Sequence, residues 1–142
     1  MRRNTTRRGC RGVRGQRRIM PLVSKVLIAD DDIEMLESLS SLLTQAGYKV
    51  IEAENGAEAV ELAKIELPSL IMLDIHMPKM TGLEACKAIK SDQVTKSIPV
   101  IMLTVEGSIA EIQEAIGYGA RTYLTKPSSK EEILKVVKSI LC

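Results

Sequence analysis

The chain has 142 residues, 45% hydrophobic and 27% charged, enough for one domain with an ordinary core and too few for two. Only Tyr48, Tyr118 and Tyr123 are aromatic, so that core must be aliphatic and rich in Met. The net charge of +2 hides two opposed parts: residues 1–18 carry eight arginines and no acid, and the remaining 12 basic residues face all 18 acids, which leaves the body at −6 and makes it an acidic domain.

No apolar run approaches the roughly 20 residues of a membrane helix. The cysteines, Cys10, Cys86 and Cys142, are odd in number and widely spaced, which suits a reducing cytosol better than a disulfide framework. A cytoplasmic location without membrane contact is therefore expected.

Residues 1–19 read as a disordered basic leader, because an Arg- and Gly-rich stretch without apolar periodicity cannot offset its ordering entropy. Clustered arginines can bind nucleic acid, and Arg-rich, acid-poor segments also serve as transit peptides. A twin-arginine export signal at Arg17-Arg18 fails, since the apolar stretch that follows runs straight into three aspartates. The reading preferred here starts translation at Met20 and the domain with it, at residues 20–142, so no nucleic-acid role is expected.

Through the body, five short apolar runs alternate with amphipathic stretches. Residues 26–29 form the first strand; Leu36, Leu39, Leu43 and Ala46 then recur at helical spacing up to Gly47. Residues 48–53 alternate as a strand. Asn55-Gly56 turns the chain into a short helix bearing Ala59, Val60 and Ala63, which Pro68 breaks. Residues 70–73 are a continuous apolar strand, and Gly82 opens a helix with Leu83, Cys86 and Ile89. Pro99 leads into a strand at 100–103, and a helix over Ile109, Ile112 and Ile116 ends near Gly117 and Gly119. The fifth strand covers 122–124, and Ile133, Val137, Ile140 and Leu141 mark the last helix. This (βα)5 alternation predicts an α/β fold, a doubly wound five-stranded parallel sheet. Strands one, three and four are apolar on both faces, as strands covered by helices must be. The ligand site of such a sheet lies outside the carboxyl ends of its strands, at the topological switch point.

The residues just past those ends are Asp30, Asp31 and Asp32 after the first strand, Asp74 after the third, Thr104 after the fourth and Lys126 after the fifth. Each taken singly has an ordinary explanation. An aspartate there caps the next helix, as Asp32 is expected to do; Thr104 suits a strand end, and Lys126 a solvated surface. One cap does not need three aspartates, however, and all these residues fall on one edge of one sheet. Clustered carboxylates raise each other's pKa unless a cation sits among them. Oxygen ligands without a pair of imidazoles suit Mg2+, leaving one carboxylate free as a nucleophile. Phosphoryl transfer needs mainly positioning and charge neutralisation, which Lys126 and Thr104 could supply with the metal.

At these residues the chain resembles the receiver domains of response regulators. Residues 25–32, KVLIADDD, resemble the family's opening strand and acidic pair, and residues 73–78, LDIHMP, its phosphoacceptor motif, followed by Gly82 before the third helix. Thr104 lies 30 and Lys126 52 positions after Asp74, as in single-domain chemotaxis-type receivers. Gly119-Ala120 and residues 123–127, YLTKP, resemble the family's closing motif. The resemblance covers about residues 24–142. It implies a flavodoxin-like fold with strand order 2-1-3-4-5 and a switch that is not classed as an enzyme. Asp74 would be the phosphoacceptor. Asp31 and Asp74 would hold Mg2+ directly, Asp30 mainly through water, and the His76 backbone carbonyl would complete the ligands. Thr104 and Tyr123 would be the switch pair, and Lys126 the phosphate-contacting cation, joined to Pro127 by a cis peptide.

The resemblance further implies a sensor histidine kinase or phosphotransfer protein as donor, and an unknown downstream protein docking on the face of helix 4, strand 5 and helix 5. With Cys142 ending the fifth helix, a stand-alone receiver without an output domain is expected. Val105 stands where the family prefers Ala or Gly and is expected to narrow access to Asp74; Ser128 stands where Phe is common. The imidazole of His76, the chain's single histidine, is expected to face solvent. Two rival readings are a haloacid-dehalogenase-like phosphatase, which would use the D-x-D within Asp30-Asp31-Asp32 and leave Asp74 idle, and a degenerate receiver that only binds, against which the intact Asp74, Thr104 and Lys126 count.

Overall fold

The computed structural model describes residues 23–105, 109–126 and 128–141. The leader, and the peptide bond expected to be cis before Pro127, lie outside the described residues. The elements run β1 (Lys25–Ala29), α1 (Ile33–Gln45), β2 (Lys49–Ala53), α2 (Gly56–Glu66), β3 (Leu70–Asp74), α3 (Gly82–Ser91), β4 (Val100–Val105), α4 (Ile109–Tyr118), β5 (Thr122–Lys126) and α5 (Lys130–Leu141). The strands form one parallel sheet in the order β2-β1-β3-β4-β5, the order implied by the resemblance.

Side chains alternate across a strand, and β1, β3 and β4 use both faces. Leu27, Ala29, Ile71, Leu73, Val100 and Met102 face a core shared with Ala59, Ala63, Ala85, Cys86, Ile89 and Ala115 of α2, α3 and α4. Val26, Ile28, Leu70, Met72, Ile101 and Leu103 face Leu36, Leu39 and Leu43 of α1 and Ile133 and Val137 of α5. That two-sided burial is why these strands read as unbroken apolar runs.

The helix boundaries follow local chemistry. Asp32 caps α1, its carboxylate accepting from the N–H groups of Glu34 and Met35. Asn55 caps α2 in the same way, through the Glu58 N–H. Thr81 and Glu84 form a reciprocal capping box on α3. Gly47, at φ 102°, turns the chain out of α1 in the left-handed region that favours glycine.

Three expectations need correction. The third, fourth and fifth strands are longer than predicted, so Asp74, Thr104 and Lys126 are strand residues and do not lie past the strand ends. Ala46 is the exposed C-cap of α1 and not part of its buried stripe. On α4 the predicted stripe of Ile109, Ile112 and Ile116 is only partly the inward face: Ala115 is buried and Ile112 packs half-buried against the core, while Ile109 is 67% and Ile116 45% exposed. The helix sits close against α3 through its smallest face, where Cys86 Sγ reaches the Ala115 carbonyl, and this turns Ile109 and Ile116 outward while Ile112 stays half-buried against the core.

Candidate functional site

Going from β2 through β1 to β3, the chain crosses from one side of β1 to the other, so the switch point lies between the ends of β1 and β3. Asp30 and Asp74 stand there. Asp30 is fully buried and fixed twice: its N–H donates to the Ala53 carbonyl at 3.1 Å, and its Oδ1 accepts from the Asp32 N–H at 3.0 Å. Asp74 is 7% exposed. Asp31 points into solvent, yet carboxylate oxygens of Asp30, Asp31 and Asp74 all lie within 4.8 Å of one another.

Lys126 closes the cluster from β5. Its ammonium is 2.8 Å from Asp30 Oδ2 and 3.2 Å from Asp74 Oδ1. The buried Asp30 Oδ2 has the ammonium as its one close polar partner among the described residues. Burial works to lower the Lys126 pKa, but the carboxylates of Asp30 and Asp74 outweigh it and the net shift is upward. For Asp74 the balance goes the other way. Burial first, then the charge of Asp30, push its carboxyl up to about 6, against the opposing pull of Lys126. One ammonium does not neutralise three carboxylates.

The donor set is three carboxylates with no imidazole or thiolate among them. Hard oxygen donors around an incompletely compensated negative centre fit a divalent cation such as Mg2+. Asp31→Ala removes an exposed side chain that packs against little. The variant is expected to bind Mg2+ at least about ten-fold more weakly while melting no lower than wild type in metal-free buffer. Calorimetric titration and a melting curve check both.

The loop from β3 to α3 is held by its backbone. The Ile75 N–H donates to the Leu103 carbonyl at 3.1 Å, and the Ile75 carbonyl accepts from the Gly82 N–H at 2.8 Å. A Cβ at Gly82 would stand 2.0 Å from the Asp74 carbonyl oxygen, so only glycine lets α3 start this close to the aspartate. Sequence reasoning placed Gly82 by its helix start; the close approach behind it is a structural finding.

Thr104 is buried beside Asp74's end of the sheet, and its hydroxyl donates to the Val105 carbonyl at 3.1 Å. Tyr123, opposite Met102 in the register, is 45% exposed, as is Val105 at 52%. Ser128 lines an apolar cavity of about 260 Å3 between α1 and α5, together with Met35, Leu39 and Ile133. His76 is largely exposed, as expected, but its Nε2 lies 3.3 Å from Glu111 Oε1 on α4. Sequence reasoning missed Glu111, since a lone acid in a helix's first turn carries no such signal.

Residues 26–138 match the response regulator receiver domain. PilH of Pseudomonas aeruginosa is 35% identical over 84% of this chain and 98% of its own length. The Vibrio cholerae chemotaxis protein CheY4 shares the fold with a TM-score of 0.80 and 38% identity, covering 84% of this chain and 100% of that one. Longer relatives match over part of their length: the DNA-binding regulator RpaA of Synechocystis is 40% identical over 82% of this chain, which spans 48% of RpaA. The chain belongs to the response regulator receiver domain family, the phosphorylation-activated switches of two-component signalling.

Proposed function

We propose that Asp74 accepts the phosphoryl group in this receiver, with Mg2+ held by Asp30, Asp31, Asp74 and the His76 backbone carbonyl. The observation that carries this reading is the convergence of Asp30, Asp74 and Lys126 from three strands within 3.2 Å contacts. A carboxylate with a pKa of about 6 is largely ionised at neutral pH and available as a nucleophile. An Asp74 carboxylate oxygen attacks phosphorus, the bond from phosphorus to the donor's imidazole nitrogen breaks, and the imidazole leaves with the electron pair. Bound Mg2+ would supply positive charge to the transferring oxygens. Lys126 supplies the same at Asp74 Oδ1, and the Thr104 hydroxyl, released from the Val105 carbonyl, donates to a phosphoryl oxygen. Tyr123 then turns inward from its exposed position and the face of α4, β5 and α5 changes, a local charge event biasing a two-state element.

The donor is a histidine kinase or phosphotransfer protein and the setting is the cytoplasm. No described helix is long and apolar enough to cross a membrane. The downstream partner docks on the α4-β5-α5 face, which presents Ile109, Ile116 and Tyr123 to solvent. Incubation with a small phosphodonor and Mg2+, followed by intact-mass measurement, tests the reading. One added HPO3 that persists supports the receiver. Turnover without an adduct would indicate a phosphatase, and neither would indicate a module that only binds.

Val105 sets the lifetime of that adduct. It follows Thr104 at the end of β4, and a β-branched side chain cannot easily swing aside to admit water. Val105→Ala is expected to accelerate loss of the phosphoryl group by a few-fold, a barrier change under about 1 kcal/mol. The side chain is already half exposed, so its loss costs little burial. An unchanged single-turnover dephosphorylation rate together with a lower melting temperature would show that Val105 serves packing alone.

A further inference from the structure

Among the described residues, the only polar contact between the β3-α3 loop and α4 is that of His76 Nε2 with Glu111 Oε1, at 3.3 Å. The imidazole projects from a fixed backbone. Ile75 on one side uses both its N–H and its carbonyl in hydrogen bonds, and Met77 on the other is buried in the core. The helix it meets is held unevenly. Ala115 is the buried residue of α4, the Cys86 thiol reaches the Ala115 carbonyl, and the Lys87 ammonium lies 5.6 Å from the centroid of the Tyr118 ring. All of these hold the C-terminal half. In the N-terminal half Ile112 packs against the core but is only half-buried, Ile109 is 67% exposed, and Glu111 reaches His76. Elements with few buried contacts are those that shift most easily.

We propose that Glu111 is a positioning residue: its contact with His76 couples the N-terminal half of α4 to the phosphorylation-site loop. A cation or phosphoryl group at Asp74 and a protein seated on the Ile109–Ile116 ridge then influence each other through this contact, and the influence is reciprocal. The inference rests on the receiver reading of Asp74. It differs from the route through Thr104 and Tyr123, which runs along β4 and β5.

Amide hydrogen exchange of the full chain, with and without Mg2+, tests this in wild type, Glu111→Ala, Glu111→Gln and His76→Ala. In wild type, Mg2+ is expected to change exchange across residues 109–114 by about two- to five-fold, the range a partly exposed pair supports. In Glu111→Ala that response should vanish, while calorimetry still gives a Mg2+ affinity within about two-fold of wild type. Glu111→Gln, which keeps a hydrogen-bond acceptor, should restore part of the response. His76→Ala should lose it, and adding Glu111→Ala should cost nothing more, as two partners of one contact require. An α4 response that survives in Glu111→Ala, or that is absent from a wild-type chain binding Mg2+, would overturn the proposal. A chain that binds no Mg2+ and takes no phosphoryl group would overturn the receiver reading itself, and this inference with it.

Discussion

Asp74→Asn is expected to abolish phosphoryl uptake completely and to make the metal-free protein more stable. The first effect follows from removing the proposed nucleophile. The second follows from the Asp74 carboxyl, pushed up to about 6 by burial and by Asp30. A folded-state pKa above the unfolded value of 3.8 means that the folded protein holds this proton more tightly. Stability is therefore lost as pH rises through the interval from about 4 to about 6, and at neutral pH wild type carries the full penalty. Asparagine resembles the protonated acid and escapes it. The full shift corresponds to about 3 kcal/mol, which solvent screening at this partly open site reduces to a gain of about 2 kcal/mol at pH 8 without metal, or roughly 5–10 °C in melting temperature for a domain of this size. The difference should close on acidification to about pH 4. Melting curves of both proteins against pH check it; equal stability at pH 8 would mean that the carboxylate is compensated in the free protein. A variant still labelled on another residue would show that Asp74 is not the acceptor.

Gly82→Ala should be the most damaging single-methyl change in the fold. Alanine in a helix gains about 1 kcal/mol over glycine from propensity alone. Here a Cβ would lie 2.0 Å from the Asp74 carbonyl oxygen and 2.9 Å from the Ile75 Cα, both backbone atoms that no rotamer change can move. Either α3 retreats and the hydrogen bond from the Gly82 N–H to Ile75 is lost, or the β3 end is displaced. Overlap outweighs propensity, and a net loss of about 3 kcal/mol is expected in denaturant unfolding. Surviving folded protein should also take up phosphoryl groups more slowly, because the displaced backbone is that of Asp74. Stability at or above wild type would show that the loop yields at no cost.

Much of this was legible because the burial pattern is simple. The unbroken apolar runs of β1, β3 and β4 mark strands covered on both faces, and each is followed or closed by a residue of the site. Asp32 was readable as a cap for the same reason that Asp30 and Asp31 were not. One helix start uses one carboxylate. What the sequence could not carry were relations set by helix placement. Ile109, Ile112 and Ile116 have the spacing of a buried stripe, yet the helix buries Ala115, with Ile112 half-buried beside it, because close packing against α3 favours the smaller side chain. Glu111 and His76 are 35 positions apart and meet only because of how α4 lies beside the loop. The overlap that makes Gly82 obligatory is likewise a distance between two backbones. The length of β5 was underestimated because Thr125 and Lys126 lack apolar character, although both pair with β4.

On the proposed reading, Asp74 receives a phosphoryl group in a reaction that needs Mg2+. The most direct measurement is peptide-level mass spectrometry after brief exposure to a small phosphodonor, with Mg2+ and with a chelator. The expected result is one HPO3 on the peptide of residues 65–79, present only with the metal and absent in Asp74→Asn. A phosphoryl group found on any other peptide, or an unlabelled chain under conditions where Mg2+ is shown to bind, would contradict the account.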